Sequence, residues 1–376
     1  MNKTIDILKQ LISIPSYVDS EHNENNLGIF IEDFLKRNTN LTIEKQIVEK
    51  NRFNIIAKGK DNPEIILFGH LDTVLPKSET VDPFIPRVEG NKLFGLGSVD
   101  MKSGLAVMLD IASSNKSDKL GLVFSVDEEY DFKGALKLKE IANLHPKFII
   151  NLEPTDNKIL NGCRGVTEFS FNLIGKSAHA GKKQLGINAI ESALNLSNHL
   201  QKEVSKFDNQ DAKSSVNLAF LHGGILEKME KGEPIVRSMG NVVPDFAKII
   251  LEIRLASSEI TTDFITKTLT DKSNELGTRL EGLSYRFYLG SMFTAKEKLT
   301  SFEKAITDSD LQAEYSNINA TGFFELQMLQ EKWGGDCIVF GAGPGSLSHA
   351  ANEYVDINTI KTSQNVIEKF LDSNLK

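Results

Sequence analysis

The strongest constraint on how this chain can fold is a set of four short, almost unbroken apolar runs. They are IILF at residues 65–68, LVFSV at 122–126, FIINL at 148–152 and CIVF at 337–340. A strand that is apolar on both faces must be covered on both faces, as in parallel sheets flanked by helices. Helical spacing surrounds these runs. Leu27, Phe30, Ile31, Phe34 and Leu35 recur at intervals of three and four. Residues 104–113, 133–143 and 358–371 read the same way, and 53–57 is a further β-type run. The opening stretch, MNKTIDILKQLISIPS, reads as an amphipathic helix ended by Pro15 rather than as a signal peptide.

The pattern changes near Gly165. VTEFSFNLI, residues 166–174, alternates polar and apolar, as a sheet with one wet face does. A helix over 187–204, strands over 216–221 and 248–255, a helix over 262–276 and a strand over 283–288 complete a small α+β unit. A length of 376 residues exceeds what one core comfortably serves. The economical organisation is an α/β domain with a mostly parallel sheet, formed by residues 1–164 and 292–376. An α+β domain is inserted at 165–291.

A net charge of −8 argues against nucleic acid or an anionic membrane as partner, and no stretch is apolar enough to span a bilayer. Two cysteines cannot build a disulfide framework. A reduced, cytoplasmic protein is expected.

The polar residues just past each apolar run carry the chemistry. His70 and Asp72 come after the first, DEEYD with Glu128 and Glu129 after the second, Glu153 after the third and GAGPGSLSHAANE with His349 after the fourth. Between the first two lies GLGSVDMKSG, a glycine-rich turn with Asp100 just before a helix. Open α/β sheets place their ligands at the carboxyl ends of the strands. Two imidazoles and several carboxylates gathered there form a ligand set for zinc, with cobalt or manganese as alternatives. The donors exceed the needs of one tetrahedral ion, so two ions sharing a carboxylate are expected. Adjacent residues point apart, so one glutamate of DEEYD can bind metal while its neighbour takes a proton from water.

A lone histidine at a strand end is usually structural, and His22, His145, His199 and His222 are read that way. GLGSVD and GAGPGS begin like dinucleotide-binding loops but lack the third glycine. Ser346 in GPGSLSH does not sit in a nucleophile elbow.

The ordered motifs GHLDTV, GLGSVDMKSG, DEEYD, EPT, GKSAHAG, NVVPD and GPGSLSHAANEYVD resemble those of a dizinc metallopeptidase and amidohydrolase family. It contains carboxypeptidase G, aminoacylase-1, acetylornithine deacetylase and succinyl-diaminopimelate desuccinylase. The resemblance implies Asp100 as bridging ligand, with a cis peptide to Met101. It implies His70 and Glu153 at one metal, and Glu129 and His349 at the other. Glu128 would be the general base and Asp72 the carboxylate that orients His70. The inserted domain would be a lid and a homodimer interface. Its His179 would stabilise an oxyanion in the partner subunit's site, and Asn241 and Arg254 would contact substrate. The implied reaction is hydrolysis of an N-acyl amino acid or small peptide.

EPT followed by CRG resembles the deacetylase and desuccinylase branch, whereas SAHAG and HAANEYVDI resemble carboxypeptidase G. In place of a further lid arginine the chain has YLGSMF, with Ser291 near that position, and TGFFE replaces the usual Thr-Asp or Thr-Glu. A deacylase is the leading expectation. A glutamate carboxypeptidase is the alternative, and a non-catalytic peptide-binding homologue stands behind both.

Overall fold

The computed structural model describes residues 3–60 and 62–375. Two compact units are present. One comprises the chain up to Gly162 together with Phe293–Asn317 and the chain from Phe324 on; the other comprises Cys163–Met292 and Ile318–Phe323.

The first unit is built on a six-stranded sheet. Its order is Thr42–Glu49, Arg52–Lys58, Leu120–Ser125, Ile65–His70, Phe148–Asn151 and Asp336–Val339. The last four run parallel, in the register His70 to Ser125, Phe68 to Asn151 and Val339 to Asn151. The first two strands extend the sheet antiparallel. Strand Ile65–His70 is buried along its whole length, as its unbroken apolar character requires. Helix Lys102–Ser114 is buried from Lys102 to Ala112. It joins helices Lys3–Ile12, Asn25–Asn38 and Ile357–Asn374 in one hydrophobic core with the sheet. Gly104 permits that approach: a Cβ there would meet the carbonyl oxygen of Leu152 at 2.4 Å.

Sequence patterning did not mark the edge strand Thr42–Glu49, whose alternating exposure carries no unbroken apolar run. Nor did it mark the short helices Thr300–Thr307 and Leu326–Trp333. The expected helix over 133–143 is shorter, Lys133–Leu138.

The second unit is a five-stranded antiparallel sheet in the order Glu233–Arg237, Ser215–Glu230, Phe246–Leu255, Gly165–Ile174 and Arg279–Leu289. Phe169, Phe171, Leu173, Ile249 and Leu251 pack against Leu196, Leu200, Ile265 and Leu269 of helices Ala189–Val204 and Thr262–Glu275. Strand Glu233–Arg237 has no counterpart among the strands expected from sequence; it lengthens the sheet by a hairpin. Ile318–Phe323 packs with this unit through Asn319, whose side chain accepts the Lys213 N–H at 2.7 Å and donates to the Asp211 carbonyl at 3.0 Å. Among the described residues no helix is long and apolar enough to cross a membrane.

Candidate metal centre

The parallel strands end together, and the side chains just beyond them converge. His70 closes its strand with its ring buried, 1% exposed. Its Nε2 lies 3.2 Å from Asp100 Oδ1 and 3.2 Å from Glu153 Oε1. On the other side of the same carboxylate, Asp100 Oδ2 lies 3.5 Å from Nε2 of His349. That imidazole is 2.9 Å from the Glu129 carboxylate. Asp100 therefore presents one oxygen to His70 and Glu153 and the other to His349 and Glu129.

Among the described residues, three sets each bring their ligand atoms within 4.8 Å of one another: His70, Asp100 and Glu153; Asp100, Glu129 and His349; and His70, Glu128 and Glu129. The first two share Asp100, which is the arrangement a carboxylate bridging two ions needs. The Asp100–Met101 peptide is cis, as the motif resemblance implied.

The electrostatics fit a cationic guest. Burial drives Glu128 well above the usual carboxylate range, and the charges of Glu153, Glu325 and Glu129 add to it. Burial likewise takes Glu153 to about 7, helped by Asp100 and Glu129. For Asp100 burial works in the same direction, but hydrogen bonds from His349 and His70 outweigh it and hold the carboxyl low. The Asp100 and Glu129 carboxylates raise His349 to about 10. A cluster of buried acids that resist ionising together, with two imidazoles among them, is matched by divalent ions.

The backbone around these groups is held by further carboxylates. Nδ1 of His70 lies 3.1 Å from the Asp72 carbonyl oxygen and 3.6 Å from its carboxylate. A proton on Nδ1 leaves the Nε2 lone pair facing Asp100 and Glu153. The Asp72 carboxylate accepts the N–H groups of Glu128 at 3.1 Å and Glu129 at 2.8 Å, so it also orients both glutamates.

Asp127, just before them, has φ of 72°. Its carboxylate accepts from Arg52 Nη2 at 2.5 Å and from the Lys133 N–H at 3.2 Å. Arg52 also donates to both oxygens of buried Glu24, and Glu24 accepts the Asp127 N–H. Glu24 and Arg52 carry no mark in the sequence, because nothing local distinguishes a charge that pairs across the fold from one facing water.

Glu325 in TGFFE is another such residue. Only 1% exposed, it accepts from Ser125 Oγ at 2.6 Å, and burial raises it to about 8. Thr-Glu is altered at this point, yet a buried carboxyl stands there. Glu353 takes three backbone N–H groups from the turn that carries Asp100. It lies inside HAANEYVD, so the motif contained it without marking it.

The second unit holds the remaining three candidates. His179 forms an isolated bridge with Val242, and the Ala180 N–H donates to the Asn241 carbonyl at 2.8 Å, which brings His179 and Asn241 side by side. His179 Nδ1 accepts the Gly181 N–H at 3.1 Å, so its proton resides on Nε2. Arg254 lies apart from them on strand Phe246–Leu255. It pairs with Glu252, and its guanidinium stands 5.8 Å from the Phe323 ring centre.

Comparison with known proteins bears on the family of the chain. Residues 66–373 match the profile of peptidase family M20/M25/M40. A probable carboxypeptidase of Aspergillus clavatus is 28% identical over 94% of this chain and 84% of its own. An acetylornithine deacetylase of Buchnera aphidicola is 26% identical over 98% of this chain and 97% of its own. Among solved structures, a Bacillus subtilis protein described as a dinuclear metal binding peptidase from the M20 family superposes with a TM-score of 0.68. It is 17% identical, over 99% of this chain and 97% of that one.

Proposed function

The chain belongs to peptidase family M20/M25/M40, and from that premise we propose that it is a two-metal hydrolase that removes the acyl group from an N-acyl amino acid. The observation that carries this reading is Asp100, whose two oxygens face separate donor groups while Glu128 stands beside them. In this reading His70 and Glu153 would hold one ion and Glu129 and His349 the other, with Asp100 serving both. Zinc suits two imidazoles and three carboxylates, with cobalt and manganese as workable substitutes. Such ions polarise a carbonyl and make water acidic enough to lose a proton near neutrality.

The chain's own residues do the rest. Glu128 takes the proton of the attacking water and returns it to the leaving amine. Asp72 keeps the Glu128 and Glu129 backbone in place. His179 carries its proton on Nε2, the form that donates to a developing oxyanion. The second unit acts as lid and dimer interface, delivering His179 to the partner subunit's site, and Asn241 and Arg254 bind substrate. A guanidinium suits the carboxylate such a substrate carries. The protein works in the cytoplasm.

Removal of a C-terminal residue from a small peptide is the second reading, favoured by the Aspergillus carboxypeptidase relative. The deciding experiment measures amine release from N-acetyl amino acids, N-succinyl amino acids and glutamate-terminated peptides, with zinc-loaded and chelated protein side by side. Chelator-sensitive release from the acyl amino acids supports the deacylase, and release from the peptides alone replaces it with the carboxypeptidase. Release from none, with two ions bound, removes both.

A further inference from the structure

Glu353 is buried to 2% exposure, and no mechanistic step needs it. Its Oε1 accepts the N–H groups of Val99 at 2.6 Å and Asp100 at 2.9 Å, and its Oε2 accepts that of Gly97 at 2.9 Å. Its carbonyl oxygen accepts the Gly95 N–H at 3.1 Å. One residue thus gathers the free N–H groups of the turn that ends in Asp100. The turn's own backbone bonds run from the Ser98 N–H to the Gly95 carbonyl at 3.1 Å and from the Lys102 N–H to the Gly97 carbonyl at 2.8 Å, and they leave the N–H groups of Gly97, Val99 and Asp100 to Glu353. Gly97 has φ of 77°, and a Cβ on it would lie 2.7 Å from the Thr73 side chain. Three N–H groups converging on the oxygens of one side chain clamp the turn to it.

The clamp has a second end. Strand Tyr354–Asp356 pairs with Lys92–Phe94, so the chain on both sides of the contact is registered. From Glu353 the chain leads back to His349, and from Phe94 it leads on to Asp100. The 3.5 Å separation of His349 Nε2 and Asp100 Oδ2 is spanned by this clasp. His70, by contrast, closes a main-sheet strand, and Glu153 lies two residues past the end of another, just after the Leu152 N–H to Phe68 carbonyl bond at 3.0 Å.

We infer that Glu353 is a positioning residue that sets the distance between His349 and Asp100, so its loss falls most heavily on the metal position that needs both, while the position of His70 and Glu153 feels it only through the shared Asp100. The inference rests on the two-metal reading above. Glu353→Gln keeps the size of the side chain, but its amide cannot accept from Gly97 while its oxygen serves Val99 and Asp100.

The test is a chelator-competition titration of metal-free protein with cobalt, with visible absorption recorded at each equivalent. Wild type, Glu353→Gln, Glu353→Asp and His349→Ala are compared. Two equivalents on wild type are required. The expected result for Glu353→Gln is one equivalent weakened about 30-fold, the loss typical of an outer support of a ligand, and the other weakened clearly less. His349→Ala should show the same asymmetry. Equal weakening of both equivalents, or of neither, overturns the role of Glu353. Fewer than two equivalents on wild type overturns the two-metal reading itself. If Glu353→Gln does not fold, Glu353→Asp, which keeps the charge and shortens the reach, is judged by the same split.

Discussion

Nε2 of His349 lies 2.9 Å from both carboxylate oxygens of Glu129, a residue 220 positions earlier in the chain. Without a metal these groups form an ion pair, and the Asp100 and Glu129 carboxylates take His349 to about 10. A metal needs the neutral imidazole, so uptake must expel that proton. At pH 8 metal-free protein should release protons on loading. His349→Gln should release about one fewer, read with an indicator dye in weak buffer. Apparent affinity at this position should rise about tenfold per pH unit for each proton displaced, up to about pH 10. Equal release from both proteins would remove His349 from the ligand set.

Glu128 is expected to move protons without holding a metal tightly. Glu128→Gln should retain the full metal content while turnover falls by about 10²–10⁴. Metal analysis alongside amine release checks this. Undiminished turnover would exclude Glu128 as the base.

His179 is expected to act on the oxyanion and not on the metals. His179→Ala should lower kcat about 10²–10³-fold with metal content unchanged and KM altered less than kcat. A change confined to KM would assign it to substrate binding instead.

Arg52 neutralises Glu24 and Asp127 in a buried network beside the catalytic turn. Arg52→Met leaves two buried carboxylates uncompensated and should destabilise the metal-free protein by about 3–5 kcal/mol. Denaturant unfolding measures this, and a shift below about 1 kcal/mol, the level of an exposed ion pair, would mean that water replaces the network.

Glu325 gives a pH signature. Burial raises it from 4.5 to about 8, so between those values the folded state keeps a proton that the unfolded chain has lost. Stability therefore falls as pH rises through that window. In metal-free protein Glu325→Gln should match wild type at pH 4.5 and melt higher by roughly 3 °C or more at pH 8. A difference independent of pH would show that Glu325 ionises freely.

Much of this protein is legible without its structure. The four apolar runs mark a parallel sheet covered on both faces, because burial of a strand is written in its own residues. The donors after those runs are legible for the same local reason: a strand's end, and the side on which His70 and Asp72 emerge, come from period two. The edge strand Thr42–Glu49 escapes, since its half-exposed pattern acquires a partner only through the hairpin with Arg52–Lys58.

No local pattern says how the donors share Asp100; the motif resemblance implied the division, and it is tertiary structure that turns one oxygen toward His70 and Glu153 and the other toward His349 and Glu129. It alone recruited Glu24, Arg52, Glu325 and Glu353. A charged residue has the same letter whether it faces water or three backbone N–H groups. Which of these it meets depends on chain crossings that join residues from 28 to 256 positions apart, and no local pattern encodes them.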